Sequence, residues 1–269
     1  MTLKTETIGD CTLICGDCID IMPTLGRFDA IVTDPPYSSG GFTQAAKTKA
    51  KGQGLRGESL KTDGWFAGDA MTAAGAAFLL RELARHCFDT STNEATLSVF
   101  TDWRVCALYS AAIESARWRY QNLIVWDKGG GGLGTGFRAQ HELIMHFSKG
   151  APPYYSKTSG NVISAPRVPP SQKTHGCEKP VALIGRLLQT VSKPGGHIVD
   201  PFMGSGTTGV ACARLGRRFT GLELDSAYFE VACERIREAY RQPRLFDDAA
   251  PKPTQTRFDL DGVKPESGA

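Results

Sequence analysis

Two short stretches of the chain carry residue types that chemistry could use. The first is "IVTDPPYSSGG", residues 31–41, in which Asp34, Pro35, Pro36 and Tyr37 follow apolar residues and give way to small ones. The two prolines fix their own φ angles, so a carboxylate, the Pro35 carbonyl and an aromatic ring are held close to one another. Alone, such a tetrapeptide would be read as a rigid turn after a strand. The second stretch is "HIVDPFMGSGTTGVACARLG", residues 197–216, where a strand ends at Asp200 and a helix begins near Thr207. Its glycines at 204, 206 and 209 satisfy G-x-G-x-x-G, and Glu223 ends the next strand 19 residues beyond Gly204. Glycines there let backbone approach a ligand at a helix N-terminus, while a carboxylate takes ribose hydroxyls. The pattern specifies a nucleoside-containing ligand without saying which one.

Elements that could position both stretches follow from the apolar pattern. Seven runs read as strands: residues 12–15, 29–33, 96–100, 122–126, 142–147, 197–200 and 218–224. Helical spacing falls between several of them, over residues 69–86, 103–117 and 180–192, and in a last helix that Asp225 can cap. Strands alternating with helices predict a largely parallel sheet covered on both sides. Between 122–126 and 142–147 lies only "DKGGGGLGTGFRAQH", with no helical pattern, so those two strands are predicted to pair antiparallel.

The 269 residues, 41% of them hydrophobic, are enough for one sizeable core. No run approaches a membrane span and the first residues do not read as a signal peptide, so a cytoplasmic protein is expected. The eight cysteines are scattered apart from Cys11, Cys15 and Cys18, and reduced thiols are the expectation. Cys15 and Cys18 form one C-x-x-C, but structural zinc takes four ligands and no second pair stands at a usual spacing, so no metal is expected. The net charge of +3 is unevenly placed. Residues 47–61 hold five basic side chains against one acid and residues 149–173 hold four against none, a pattern that fits either solvated linkers or loops bound to a polyanion. From residue 243 the apolar periodicity is lost, and residues 243–269 are predicted to be a disordered tail.

Taken together, "DPPY" at 34–37 and "DPFMGSGTT" at 200–208 resemble the signatures of S-adenosylmethionine-dependent DNA amino-methyltransferases. "LICGDCIDIMP", "FRAQHELIMHFSKG" and the block from His175 to Ile236 are similar to the family as well, so the resemblance covers roughly residues 10–240. With the tetrapeptide ahead of the glycine loop, the chain resembles the circularly permuted β group, whose members methylate an exocyclic amine of adenine or, less often, cytosine. The resemblance implies a Rossmann-like α/β methyltransferase fold of about seven strands, a catalytic domain over residues 1–242, and double-stranded DNA as partner, with a homodimer entertained and no membrane involved.

An exocyclic amine is a poor nucleophile because its lone pair is conjugated with the ring. Asp34 and the Pro35 carbonyl can draw that lone pair out by accepting the amine protons, and Tyr37 offers a face to a base flipped from the duplex. By resemblance, Asp200, Phe202, Gly204, Ser205, Gly206, Thr207 and Thr208, with Asp34 alongside, surround S-adenosylmethionine. Glu223 takes its ribose, Asp17 approaches its adenine, and Lys179 meets its carboxylate. Gly176 stands where the family's motif has proline after His175. Lys47, Lys49, Lys51 and Arg56, in a loop over 38–69 predicted to be flexible, are expected to contact DNA phosphates. Lys157, Arg167 and Lys173 are expected to do so from a recognition segment over 149–173. Cytosine carbon-5 transfer usually has its nucleophilic cysteine after a proline, and no Pro-Cys dipeptide occurs. A cytosine-N4 methyltransferase, a dinucleotide-dependent oxidoreductase and a non-catalytic DNA-binding module are the alternatives.

Overall fold

All seven apolar runs form strands, and seven is two too few. The computed structural model describes residues 3–37, 71–131, 135–169 and 178–242. Among these residues one mixed sheet of nine strands is present. The strands are β1 (Lys4–Ile8), β2 (Cys11–Cys15), β3 (Phe28–Thr33), β4 (Ser91–Thr101), β5 (Arg119–Asp127), β6 (His141–Lys149), β7 (Val162–Ser164), β8 (His197–Asp200) and β9 (Arg218–Glu223). The helices are α1 (Cys18–Ile21), α2 (Ala73–Thr90), α3 (Cys106–Glu114), α4 (Val181–Val191), α5 (Thr207–Leu215) and α6 (Ser226–Arg241).

The sheet runs β1-β2-β9-β8-β3-β4-β6-β5-β7. The strands from β2 to β4 in that order pair parallel, and β6 lies antiparallel between β4 and β5. The predicted β5·β6 pairing is therefore present, joined by a second antiparallel contact of β6 with β4.

The two unexpected strands are both edges. β1 is exposed along most of its length, so its sequence shows no buried stripe. It is fixed instead by pairing with β2 and by ion pairs from Lys4 to Glu230 and from Glu6 to Arg237 of α6. β7 is three residues in a proline- and serine-rich stretch, too short to show a period, and it pairs parallel with β5. That strand gives the basic, proline-rich stretch one regular segment: Ile163 and Ala165 are buried, and the Ala165 carbonyl accepts from the Trp126 indole at 2.7 Å.

Central strands are buried on both faces, which explains why "AIV" in β3 reads as a continuous apolar run. Ala30 and Val32 join the core under α4, α5 and α6, whereas Ile31 joins the core under α2 and α3, the alternation a pleated strand imposes. On α4, Leu183, Ile184, Leu187, Leu188 and Val191 recur at helical spacing and are buried. Asp225 caps α6, accepting from the amides of Ala227 and Tyr228 at 2.7 and 3.1 Å. Among the described residues no helix is long and apolar enough to cross a membrane.

Candidate active site

The parallel strands end together along one edge of the sheet, and the residues that could do chemistry are strung along it. Cys15 pairs with Glu223, Asp200 with Gly221, and Thr33 with Val99, so Asp17, Glu223, Asp200 and Asp34 follow one another across the carboxyl ends of β2, β9, β8 and β3. From β8 the chain passes to β9 on one side, and from β3 to β4 on the other. The crevice between β8 and β3 is thus the point where the winding reverses, the usual place for a ligand in such sheets.

The glycine loop after β8 is held from beneath. Asp200 is 3% exposed and accepts from the Phe202 amide at 3.1 Å and the Thr208 hydroxyl at 2.7 Å. Burial, with a smaller contribution from the Asp34 charge, raises its carboxyl to about 7, against those hydrogen bonds. Glu223 accepts from the Gly204 amide and from the Asp225 amide, each at 2.9 Å, and burial raises its pKa too. Ser205 is fixed by Arg235 of α6, whose guanidinium donates to its carbonyl and its hydroxyl, both at 2.7 Å, and lies 3.4 Å from the Thr207 hydroxyl.

The loop's glycines do not all serve a ligand. A Cβ on Gly206, at φ +80°, would come within 2.9 Å of the Ala232 side chain, and one on Gly209 within 2.4 Å of Ile236. Both therefore let α6 pack closely against α5. Gly204, at φ +51°, has nothing within 4 Å of its Cβ position, so the space beside it is open while its amide is taken by Glu223. Open space at the start of α5 with a carboxylate on the adjacent strand fits a nucleoside cofactor. Asp17 is exposed and caps α1, accepting from the Ile19 amide at 2.8 Å. A helix cap accounts for its local geometry, and its place beside Glu223 puts it on the same edge.

The tetrapeptide is held by side chains from distant elements. Asp34 accepts from the Tyr37 hydroxyl at 2.6 Å and from the Lys179 ammonium at 2.5 Å. Buried Lys179 also lies 3.4 Å from Glu142, at the start of β6, and Glu142 is bonded on its other side by Lys128. The Tyr37 hydroxyl lies 3.5 Å from Glu142, and the Tyr37 carbonyl accepts from Tyr109 of α3 at 2.5 Å. Burial works to raise the Glu142 pKa, but Lys179 and Lys128 outweigh it and the net direction is down. The structure thus brings Lys179 to Asp34, and its neighbour Glu178 to Arg235 beside the glycine loop. Pro35 and Pro36 line a small apolar cleft together with Phe202, Leu80 and Tyr109, which joins the two motifs in one crevice.

Glu142, Lys128, Tyr109 and Arg235 carry no motif signal that singles them out. The basic residues part company. Arg167 is exposed and follows β7 toward the carboxyl edge, whereas Lys157 lines a groove with Lys193, Pro194 and Arg217 by the amino ends of β8 and β9. Lys157 is not brought to the crevice. Lys47, Lys49, Lys51, Arg56, Lys173 and His175 lie outside the described residues, as do the loop 38–69 and the tail 243–269. Cys11 and Cys18 are buried and Cys15 is half-buried, and among the described residues no cluster could hold a metal ion.

The N6_N4_Mtase family model, described as DNA methylase, matches residues 28–234 and so takes in the tetrapeptide, the glycine loop and most of α6. The chain belongs to this DNA methylase family. The type II methyltransferase M.SmaI of Serratia marcescens is 27% identical to it over 86% of the chain and 92% of its own length. Among solved structures, the PvuII DNA methyltransferase, titled cytosine-N4-specific, superposes on this DNA methylase with a TM-score of 0.67 at 13% identity, covering 87% of the chain and 93% of its own. The M1.HpyAVI–SAM complex does so at 0.63 and 20%, covering 84% and 99%. At those identities the likeness is one of fold.

Proposed function

We propose that this DNA methylase transfers a methyl group from S-adenosylmethionine to the N6 amine of an adenine flipped out of duplex DNA. The observation that carries the reading is the shared crevice. Pro35 and Pro36, directly after Asp34, line it together with Phe202 of a glycine loop whose next strand ends in Glu223. We take the arrangement to be the circularly permuted β group, because β3 precedes β8 in the chain while lying beside it in the sheet.

When bound, S-adenosylmethionine supplies an electrophilic methyl group on sulfur. Gly204 and the amino end of α5 would hold its amino-acid end, Glu223 its ribose and Asp17 its adenine side. Asp34 and the Pro35 carbonyl accept the two protons of the target amine and so localise the lone pair on nitrogen. Each carboxylate oxygen has two lone-pair sites, so Asp34 can accept from the amine while it keeps Tyr37 and Lys179. As the nitrogen gains the methyl group, the methyl–sulfur bond would break with its electron pair left on a neutral thioether; the nitrogen becomes cationic, and its surplus proton passes to Asp34 and on to water. The Tyr37 ring gives the extruded base a stacking surface. DNA phosphates are contacted by Lys47, Lys49, Lys51 and Arg56, and by Arg167 and Lys173. Lys157, at the opposite edge, takes no part. Phosphate-bearing DNA and S-adenosylmethionine carrying a tritiated methyl group test the reading: label in precipitated DNA supports it, and label that never leaves the cofactor contradicts it.

The second reading, transfer to cytosine N4, is favoured by the likeness in fold to the PvuII enzyme. It uses the same crevice and the same lone-pair chemistry, and the base that carries the label separates the two.

A further inference from the structure

Four charged side chains from four separate segments meet behind the tetrapeptide. Asp34 follows β3, Lys128 follows β5, Glu142 opens β6 and Lys179 precedes α4. Lys179 spans Asp34 at 2.5 Å and Glu142 at 3.4 Å, while Lys128 is bonded to Glu142. Lys179 is 9% exposed at its side chain and Lys128 12%, so neither ammonium is well screened by water. The Tyr37 hydroxyl lies between the two carboxylates, and Asp200 is the next acid along the edge.

Among the described residues the charges balance as two ammoniums against two carboxylates. That balance matters because the target nitrogen turns cationic next to Asp34. If Asp34 faced Lys179 and Lys128 without Glu142, the cluster would hold one surplus positive charge within a few ångströms of the developing cation. Like charges repel more strongly in a partly buried site than through water, so the surplus would raise the barrier. From this arrangement we infer that Glu142 is a positioning residue whose charge neutralises the Lys128–Lys179 pair and thereby keeps Asp34 an effective acceptor for the target amine. The inference rests on the amine-methyltransferase reading. It assigns Glu142 no contact with substrate.

Three substitutions and two readouts test it. Glu142→Gln keeps the shape and removes the charge, and turnover should fall about 10- to 100-fold with little change in KM for DNA. Lys128→Gln removes one positive charge and should cost less than about threefold in turnover. Glu142→Gln with Lys128→Gln restores neutrality and should recover turnover to within about fivefold of the parent. A purely structural Glu142 would give losses in all three, largest in the double variant. The second readout needs no activity: the Lys179 ammonium, identified by carbon-13 NMR at its Cε and by its loss in Lys179→Arg, should deprotonate about one pH unit lower in Glu142→Gln and return in the double variant. Absence of methyl transfer by the unsubstituted protein would contradict the proposed function and leave this titration to decide the inference. A Glu142→Gln protein with parental turnover and an unmoved Lys179 titration, or a loss that the second substitution deepens, would overturn it.

Discussion

The glycine loop and the tetrapeptide face one crevice, but they are built from different materials. The loop is shaped by its own neighbourhood: Asp200 bonds Phe202 and Thr208, and Glu223 bonds Gly204 across one strand spacing. The tetrapeptide borrows nearly everything that holds it. Tyr109 comes from α3, Glu142 from β6, Lys128 from the end of β5 and Lys179 from the segment before α4. One region is a backbone cradle with carboxylates beneath it, and the other is a knot of paired charges. A backbone loop can thus be shaped mainly by residues near it in the chain, whereas a cluster of paired charges is assembled from several distant segments.

The largest effect should come from the knot. Asp34→Ala is expected to lower methyl transfer on the order of 10²- to 10³-fold, the loss seen when an electrostatic group aimed at the reacting atom is removed. Calorimetric titration of S-adenosylmethionine should move by less than about tenfold, because the carboxylate acts on the amine. A variant that loses cofactor affinity and turnover in equal measure would merge the two regions that the comparison keeps apart.

Arg235 joins them, since it bonds both Ser205 in the loop and Glu178 beside Lys179. Arg235→Met removes the guanidinium that pairs with Glu178 and bonds Ser205, and should cost about 2 kcal/mol in urea unfolding. Equal stability with and without the guanidinium would mean that the loop is held by its backbone alone.

Within the loop, the glycines should separate by role. Gly206→Ala presses a methyl group on Ala232 at a left-handed φ and should destabilise the fold by about 2 kcal/mol. Gly204→Ala meets open space and should cost about 1 kcal/mol in stability, with the greater part of its effect appearing as weakened cofactor binding. Thermal unfolding and calorimetry on the two variants would show whether that division holds.

The most gradual effect is on pH. Burial raises the Asp200 carboxyl to about 7, well above its unfolded value. Between pH 4 and 7 the folded state therefore holds a proton that the unfolded state has lost. The resulting contribution to stability is full below pH 4 and falls by up to about 1.4 kcal/mol per pH unit until the folded pKa is passed. Asp200→Asn should flatten that slope in denaturant titrations, and an unchanged slope would show that Asp200 is ionised in the fold.

Legibility in the sequence divides along the same line. The glycine loop, Glu223 and the capped α6 announce themselves within a few dozen residues, because a tight turn, an adjacent strand and a helix cap are local events. The central strands were equally plain, since burial on both faces leaves runs such as "AIV". β1 and β7 were not, because an edge strand takes its stability from a neighbour and needs no stripe of its own. Nor does a sequence show that Lys179 reaches Asp34, or that Glu142 lies between two lysines, since no spacing connects residues 34, 128, 142 and 179. Gly206 was legible as a required glycine and its reason was not: the space it leaves is filled by α6.

The most direct test of the central claim is mass spectrometry of the nucleosides from duplex DNA incubated with the protein and S-adenosylmethionine. N6-methyl-2′-deoxyadenosine is expected with the unsubstituted protein, formed on the order of 10²- to 10³-fold more slowly by Asp34→Ala. A digest whose only methylated nucleoside is a cytosine, or one in which the Asp34→Ala protein yields as much product as its parent, would contradict that claim.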